Sequence, residues 1–268
     1  MSAELSDLTG KVAFVSGASR GLGEHFAEIL AGAGCDLVIT SRDEGTLQLL
    51  HDRIEGVGQK CLALKLDVES HDSIQTAVEE AVAHFGKIDI LVSNAGCNIR
   101  KPAVEVTWED WNQILNTNLR GTFFLCQEVV KKSMMPRKYG RIITIGSVTS
   151  VQGYAGLAPY GASRGGTRQL TMSLADDWGP SGITINCLAP GWFKTAQTAV
   201  LYEDDEWVEM LSDRIPVKRP GNVEDLSGAL VFLASESSRY VTGQTILVDG
   251  GISVGSMRAL PKEVEPEA

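Results

Sequence analysis

With 268 residues, a formal net charge of −10 at pH 7 and a pI of about 4.9, the chain has room for one large α/β domain or two small ones. Its hydrophobic fraction of 43% and charged fraction of 22% are those of a chain that buries a core. The acidic balance argues against nucleic acid or an anionic membrane as partner, so any phosphate site has to be built locally from backbone amides and a few placed arginines.

The five cysteines (Cys35, Cys61, Cys97, Cys126 and Cys187) are odd in number and contain no Cys-x-x-Cys pair. They read as reduced core thiols, and a cytoplasmic protein is expected. His25, His51, His71 and His84 lack ligand spacing, so no metal site is expected. Neither a signal pattern at the N-terminus nor an apolar run of about 18 residues is visible.

In chain order, Val12 to Ser16 is a β-branched and aromatic run, followed by Gly17-Ala18-Ser19-Arg20-Gly21-Leu22-Gly23. Leu22, Phe26, Ile29 and Leu30 then recur at helical spacing. A glycine turn between strand and helix lets the backbone approach a pyrophosphate, with the helix N-terminus offering free N–H groups. The alternative is a plain tight turn.

Leu37 to Thr40 is the next strand, and Ser41-Arg42 closes it. An acidic residue near this point would hold a ribose 2′-OH, whereas arginine accommodates a 2′-phosphate. Arg42 and Arg20 therefore point to NADP(H) in preference to NAD(H), unless both are simply solvated charges. Asp43 to Glu55 reads as a helix with an Asp cap, Cys61 to Leu66 as a strand ending in Asp67-Val68, and Ser73 to Phe85 as a helix. Ile88 to Val92 is an apolar strand ending in Ser93-Asn94-Ala95-Gly96.

Trp108 to Met135 is expected as one long helix, although Asn118 and Gly121 carry a propensity penalty within it. Tyr139 to Gly146 is a strand with Ser147 past its end, Pro159 to Trp178 a helix, and Ile183 to Leu188 a strand closed by Ala189-Pro190-Gly191. Residues 192–220 break the rhythm and read as an irregular lid. Asn222 to Ala234 is a helix, Thr245 to Val248 a seventh strand, and residues 256–268 a polar tail after one domain spanning residues 1–255. Strands alternating with helices imply a parallel sheet covered on both faces, with ligands beyond the carboxyl ends of the strands.

Tyr160 and Arg164 are four residues apart, hence on one face of the expected helix. A guanidinium beneath a phenol favours the phenolate, which suits Tyr160 to general acid/base work. By itself this spacing also describes an ordinary amphipathic helix edge.

Together these motifs resemble the short-chain dehydrogenase/reductases, over about Leu8 to Gly251. The likeness rests on the glycine turn, Ser93-Asn94-Ala95-Gly96, Asn118, Ser147, Tyr160 and Pro190-Gly191 at mutually consistent intervals. The resemblance implies a doubly wound, seven-stranded Rossmann fold in a single domain, an NAD(P)(H)-dependent oxidoreductase and commonly a homotetramer. It also implies roles. Tyr160 would exchange the proton, Ser147 would hold the substrate oxygen, and Asn118 would hold a water in a proton relay. Gly17, Ser19, Arg20, Gly21, Leu22, Gly23, Ser41, Arg42, Asp67, Val68, Asn94, Ala95 and Gly96 would bind the cofactor. Tyr160, Arg164, Pro190, Gly191, Phe193 and Thr195 would join them nearer the nicotinamide.

One departure stands out: the family has lysine where this chain has Arg164. A guanidinium keeps the charge but is planar and does not lose its proton. Three readings follow: a working variant, an impaired or engineered form, or a nucleotide-binding member without turnover.

The segment Asn94 to Pro102 resembles the gluconate 5-dehydrogenase-like branch, which implies a small polar sugar, polyol or keto-acid substrate. A 3-oxoacyl thioester or another carbonyl compound is the competing substrate class. Arg100 is placed to reach a substrate carboxylate, or else sits at a subunit contact. Trp192 and Tyr154 either line the substrate pocket or pack within the lid.

Overall fold

The computed structural model describes residues 6–194 and 199–254. Seven strands are present: β1 (Val12–Ser16), β2 (Asp36–Ser41), β3 (Cys61–Lys65), β4 (Ile90–Ser93), β5 (Gly140–Ile145), β6 (Ile183–Pro190) and β7 (Thr245–Val248). They form one sheet in the order β3–β2–β1–β4–β5–β6–β7, with every adjacent pair parallel. The chain winds outwards from β1 in one direction and then restarts at β4 in the other. That reversal leaves a crevice at the carboxyl ends of β1 and β4.

The helices are α1 (Gly21–Gly32), α2 (Gln48–Gly56), α3 (His71–Phe85), α4 (Trp108–Leu115), α5 (Thr122–Val129), α6 (Ala158–Trp178), α7 (Asp205–Arg214) and α8 (Ser227–Ala234). Burial on both sheet faces explains why the central strands are almost continuously apolar. Side chains alternate along β1: Ala13 and Val15 join a core containing Phe26, Leu30 and Leu230. Val12 and Phe14 join the opposite core, with Ile74, Leu125 and Leu174. Each fully buried leucine or phenylalanine contributes about 1.5–3 kcal/mol, and the two cores fix the sheet from which the site loops emerge.

The stretch expected as one helix is continuous but not uniformly α. Between α4 and α5 the backbone widens into a π-helical turn over Asn116–Gly121, and a second runs over Val130–Met134. The first lies at a tertiary contact: a Cβ on Gly121 would stand 2.7 Å from the carbonyl oxygen of Val68, so the helix presses on the loop after β3. The hydroxyl of Thr122 donates to the Asn118 carbonyl at 2.8 Å, helping to satisfy a group that the widened turn exposes.

The stretch expected as an irregular lid is helical over much of its described part. Asp204 caps α7 by accepting from the Trp207 amide at 3.0 Å; of the acidic run, Glu203 ends a 3₁₀ turn over Ala199–Glu203, and Asp205 and Glu206 form the first turn of α7. Thr195 and the tail 256–268 lie outside the described residues. Among the described residues no helix is long and apolar enough to cross a membrane.

Candidate active site

The glycine turn is shaped by close contact. Gly17 and Gly21 take φ of 67° and 63°, in the left-handed region. A Cβ on Gly23 would collide with the Gly17 carbonyl oxygen and the Asn94 amide. Asn94 fastens this turn to β4: its Nδ2 donates to the Ser16 and Gly17 carbonyls at 3.0 and 3.1 Å. Helix α1, like α2 and α6, has no side-chain cap. Its first N–H groups are left for an anion, and the missing Cβ atoms leave a cradle for one. This donor set fits the pyrophosphate of a dinucleotide.

At the next strand end, Arg20 and Arg42 are exposed and neither has an ion pair among the described residues. Ser41 lines the same wall, but its hydroxyl is taken. It donates to the Asp43 carbonyl at 2.5 Å and accepts from the Asp43 amide at 3.2 Å. The side chain shapes the turn into α2, and the two arginines keep their charges free at this end of the cavity. Asp67 and Val68 follow β3, and Asp67 Oδ1 accepts from the Glu69 amide at 3.0 Å.

Tyr160 sits in the first turn of α6, started by Pro159, and Arg164 lies one turn further on the same face. The guanidinium carbon is 5.0 Å from the centroid of the Tyr160 ring. Arg164 is only 6% exposed; Nη1 donates to the Ile145 carbonyl at 2.6 Å, and Nε is buried without a partner. Space for the head comes from Gly96, where a Cβ would lie 2.6 Å from Nη2. Ser147, just past β5, accepts the Thr149 amide at 3.1 Å, which leaves the hydroxyl proton of Ser147 to donate.

Asn118 is placed differently from a wall residue. It is fully buried, and its Oδ1 accepts from the Cys97 amide at 2.8 Å. Its Nδ2 donates to the Cys97 carbonyl at 2.9 Å and to Ser163 Oγ at 3.1 Å. The side chain therefore staples the loop after β4 to α6.

A cavity of about 730 Å³ joins these groups, running from Gly17, Ser19 and Leu22 past Ala95 and Gly96 to Ser147, Tyr160 and Arg164, and ending at Pro190, Gly191, Trp192 and Phe193. Arg100 stands at that end, its guanidinium carbon 5.8 Å above the Trp192 ring centroid. Tyr154 is not in the wall. It meets Trp192 edge-on at 5.6 Å from outside and donates its hydroxyl to Gln152 Oε1 at 2.8 Å. Burial pushes its phenol above the ordinary range, and the Trp192 contact offsets part of that.

Asn98 and Thr149 also line the cavity, and neither was picked out from the sequence. Their positions just after β4 and β5 were the available signal. Burial pushes the thiols of Cys35, Cys61 and Cys126 up to about 12, which keeps them protonated as core residues. Among the described residues there is no His/Cys/Asp/Glu group that could hold a metal ion.

Residues 17–253 match a family described as enoyl-(acyl carrier protein) reductase, and the chain belongs to the short-chain dehydrogenase/reductase family of oxidoreductases. Gluconate 5-dehydrogenase of Gluconobacter oxydans is 41% identical over 251 residues, covering 94% of this chain and 98% of that protein. The 3-oxoacyl-(acyl-carrier-protein) reductase of Escherichia coli is 39% identical over 243 residues, covering 91% and 97%. A gluconate 5-dehydrogenase of Burkholderia cenocepacia, solved with NADP and tartrate, superposes with a TM-score of 0.92 at 38% identity over 95% of this chain and 100% of that one.

Proposed function

We propose that the protein is an NADP(H)-dependent dehydrogenase of small sugar acids, interconverting a secondary alcohol and a ketone. The observation that carries this reading is a file of cations along one crevice. Arg20 and Arg42 lie at one end, Arg164 at the centre and Arg100 at the far end, and none has an ion-pair partner among the described residues. A chain of net charge −10 that leaves four arginines unpaired in one cavity is built for an anion at each end. The 2′-phosphate of NADP(H) suits Arg20 and Arg42. A substrate carboxylate suits Arg100, whose planar fork takes such a group bidentately. Relatives named for gluconate oxidation, one of them solved with NADP, support the same reading.

When bound, the cofactor supplies or accepts the hydride. The chain does the rest. The uncapped start of α1 holds the pyrophosphate, with Asp67, Val68, Asn94 and Ala95 on the adenosine side. Ser147 donates its hydroxyl proton in a hydrogen bond to the substrate oxygen and sets its position. Tyr160 removes the proton from that oxygen in oxidation and returns it in reduction. Arg164 holds its positive charge 5.0 Å from the Tyr160 ring, where the proton is exchanged. Asn118 acts at one remove, by holding the Cys97 loop and α6 in register. Phe193 shields the reacting end from water.

We read the protein as a cytoplasmic homotetramer. The apolar strip of Leu115, Leu119, Phe123 and Leu170 across α4 to α6, beside exposed Trp108 and Trp111, supports self-association.

The test follows NADPH formation from gluconate and NADP+ by absorbance, beside a Tyr160→Phe control. NADPH binding without turnover of any sugar acid would overturn the reading. The Escherichia coli relative favours one competitor, a 3-oxoacyl thioester reductase, and acetoacetyl thioester with NADPH is the discriminating substrate.

A further inference from the structure

The guanidinium of Arg100 is unpaired and yet not loose. Three loops, from the carboxyl ends of adjacent strands, hold it. The loop after β4 carries it. On the loop after β5, Gly156 has φ of 75°, and a Cβ there would stand 3.3 Å from Arg100 Cγ, so the bare glycine is what lets the arginine stem lie down. The Lys101 amide donates to the Gly156 carbonyl at 3.1 Å and locks these two loops together. On the loop after β6, the Trp192 ring lies under the guanidinium at 5.8 Å.

The neighbouring cation is treated in the opposite way. Lys101 Nζ is neutralised by Asp110 at 2.6 Å. The Trp192 ring is itself fixed, edge to face, by Tyr154 at 5.6 Å and by Trp207 of α7 at 5.5 Å, and its carbonyl accepts the Gly221 amide at 2.9 Å.

We propose that Trp192 is a positioning residue that orients Arg100 to read the substrate carboxylate, and that Trp207 makes the lid helix part of the same clamp. This rests on the reading of Arg100 as the carboxylate partner. A long flexible arginine ordinarily loses side-chain entropy on taking up a ligand. Here the ring below and the glycine beside the stem confine it beforehand, and the lid is tied to the quality of substrate binding.

The experiment is a double-mutant cycle on the full chain, with gluconate and NADP+ as probes and KM and kcat measured separately. Arg100→Met raises KM for gluconate by about 10- to 100-fold, the loss of one charge-assisted contact. Trp192→Leu raises it by about three- to fivefold, the scale of one cation–π contact, with the change falling on KM rather than kcat. Trp192→Phe restores most of it, because an aromatic face remains. The double variant is no worse than Arg100→Met alone, since the tryptophan has nothing left to orient. Should Trp192→Leu fail to fold, Trp192→Met supplies that corner of the cycle.

If the two effects multiply, or if Trp192→Leu lowers kcat and leaves KM alone, the clamp is wrong. If Arg100→Met raises KM while Trp192→Leu does not, the clamp fails and the carboxylate reading survives. If Arg100→Met leaves KM unchanged, or gluconate is not oxidised by the unaltered protein, the carboxylate reading itself fails and the clamp with it.

Discussion

The Arg164 guanidinium lies 5.0 Å from the Tyr160 ring centroid and is tied at 2.6 Å to the carbonyl that ends β5. A buried cation with no carboxylate partner among the described residues is costly unless something in the site uses it. On the proposed mechanism the tyrosine is that user, and the need is for charge at that point. A lysine supplies the same charge from a more compact head. Arg164→Lys is therefore expected to keep kcat for gluconate within about threefold of the unaltered protein or to raise it, whereas Arg164→Met should lower it by about 100-fold or more. Steady-state kinetics decide. Loss of turnover in the lysine variant would show that the planar head and its grip on Ile145 are needed.

Tyr160 has a role that truncation of one oxygen isolates. Tyr160→Phe keeps the ring beneath the guanidinium and removes only the exchangeable proton. The expected result is a fall in kcat of about 10²- to 10⁴-fold, the usual share of one positioned acid/base. NADPH affinity, followed by the fluorescence of the bound cofactor, should stay within about threefold. Retained turnover would mean that another group moves the proton.

The distribution of what the sequence disclosed follows from the range of the forces involved. Strands β1 to β7 were legible from their local apolar pattern, even where, as in β7, the strand is only half-buried, and the glycine turn because its φ values demand glycine. Tyr160 and Arg164 were paired by helix periodicity alone. The π-helical turn was not legible, because it lies at the contact of Gly121 with Val68, more than 50 residues away in sequence. Helix α7 was hidden because its acidic start looks like a solvated loop until Asp204 is recognised as its cap. Ser41 was legible as a strand-end residue of the cavity wall, but the bond of its hydroxyl to Asp43 was not, because a serine there serves a ligand or its own turn. Asn118 was found, but its side chain turned inward to the Cys97 loop.

Cofactor choice reduces to local charge. With Ser41 bonded within its turn, Arg42 and Arg20 are the groups proposed to meet a 2′-phosphate. Arg42→Asp replaces a cation by an anion that repels the phosphate and accepts from a ribose hydroxyl. The ratio of kcat/KM for NADP+ over NAD+ is expected to fall by about 100-fold, as two charge-assisted contacts are lost or reversed. An unchanged ratio would remove Arg42 from the phosphate site.

Asp89 holds the foot of the sheet, and its effect is pH-dependent. It is 2% exposed and accepts from the Val12 amide at 3.0 Å, from Lys87 Nζ at 2.9 Å and from Arg137 Nη1 at 2.6 Å. Burial alone would push its carboxyl up, but the hydrogen bonds from Lys87, Arg137 and Val12 overrule it and hold the group below the ordinary aspartate value. A carboxyl depressed in the folded state stabilises fully above its unfolded value of about 3.9 and loses that contribution as pH falls through the folded one. Asp89→Asn keeps the shape but strands two cations. Both are about one-third exposed, so solvent takes up part of the loss, and about 2–3 kcal/mol at pH 7 is expected rather than the larger cost of a fully buried pair. Urea unfolding of the two proteins at pH 7, 5 and 3 checks this. The gap in stability should hold from pH 7 to 5 and narrow at pH 3, where the aspartate begins to take up its proton. A gap that stayed constant down to pH 3 would assign the effect to packing and not to charge.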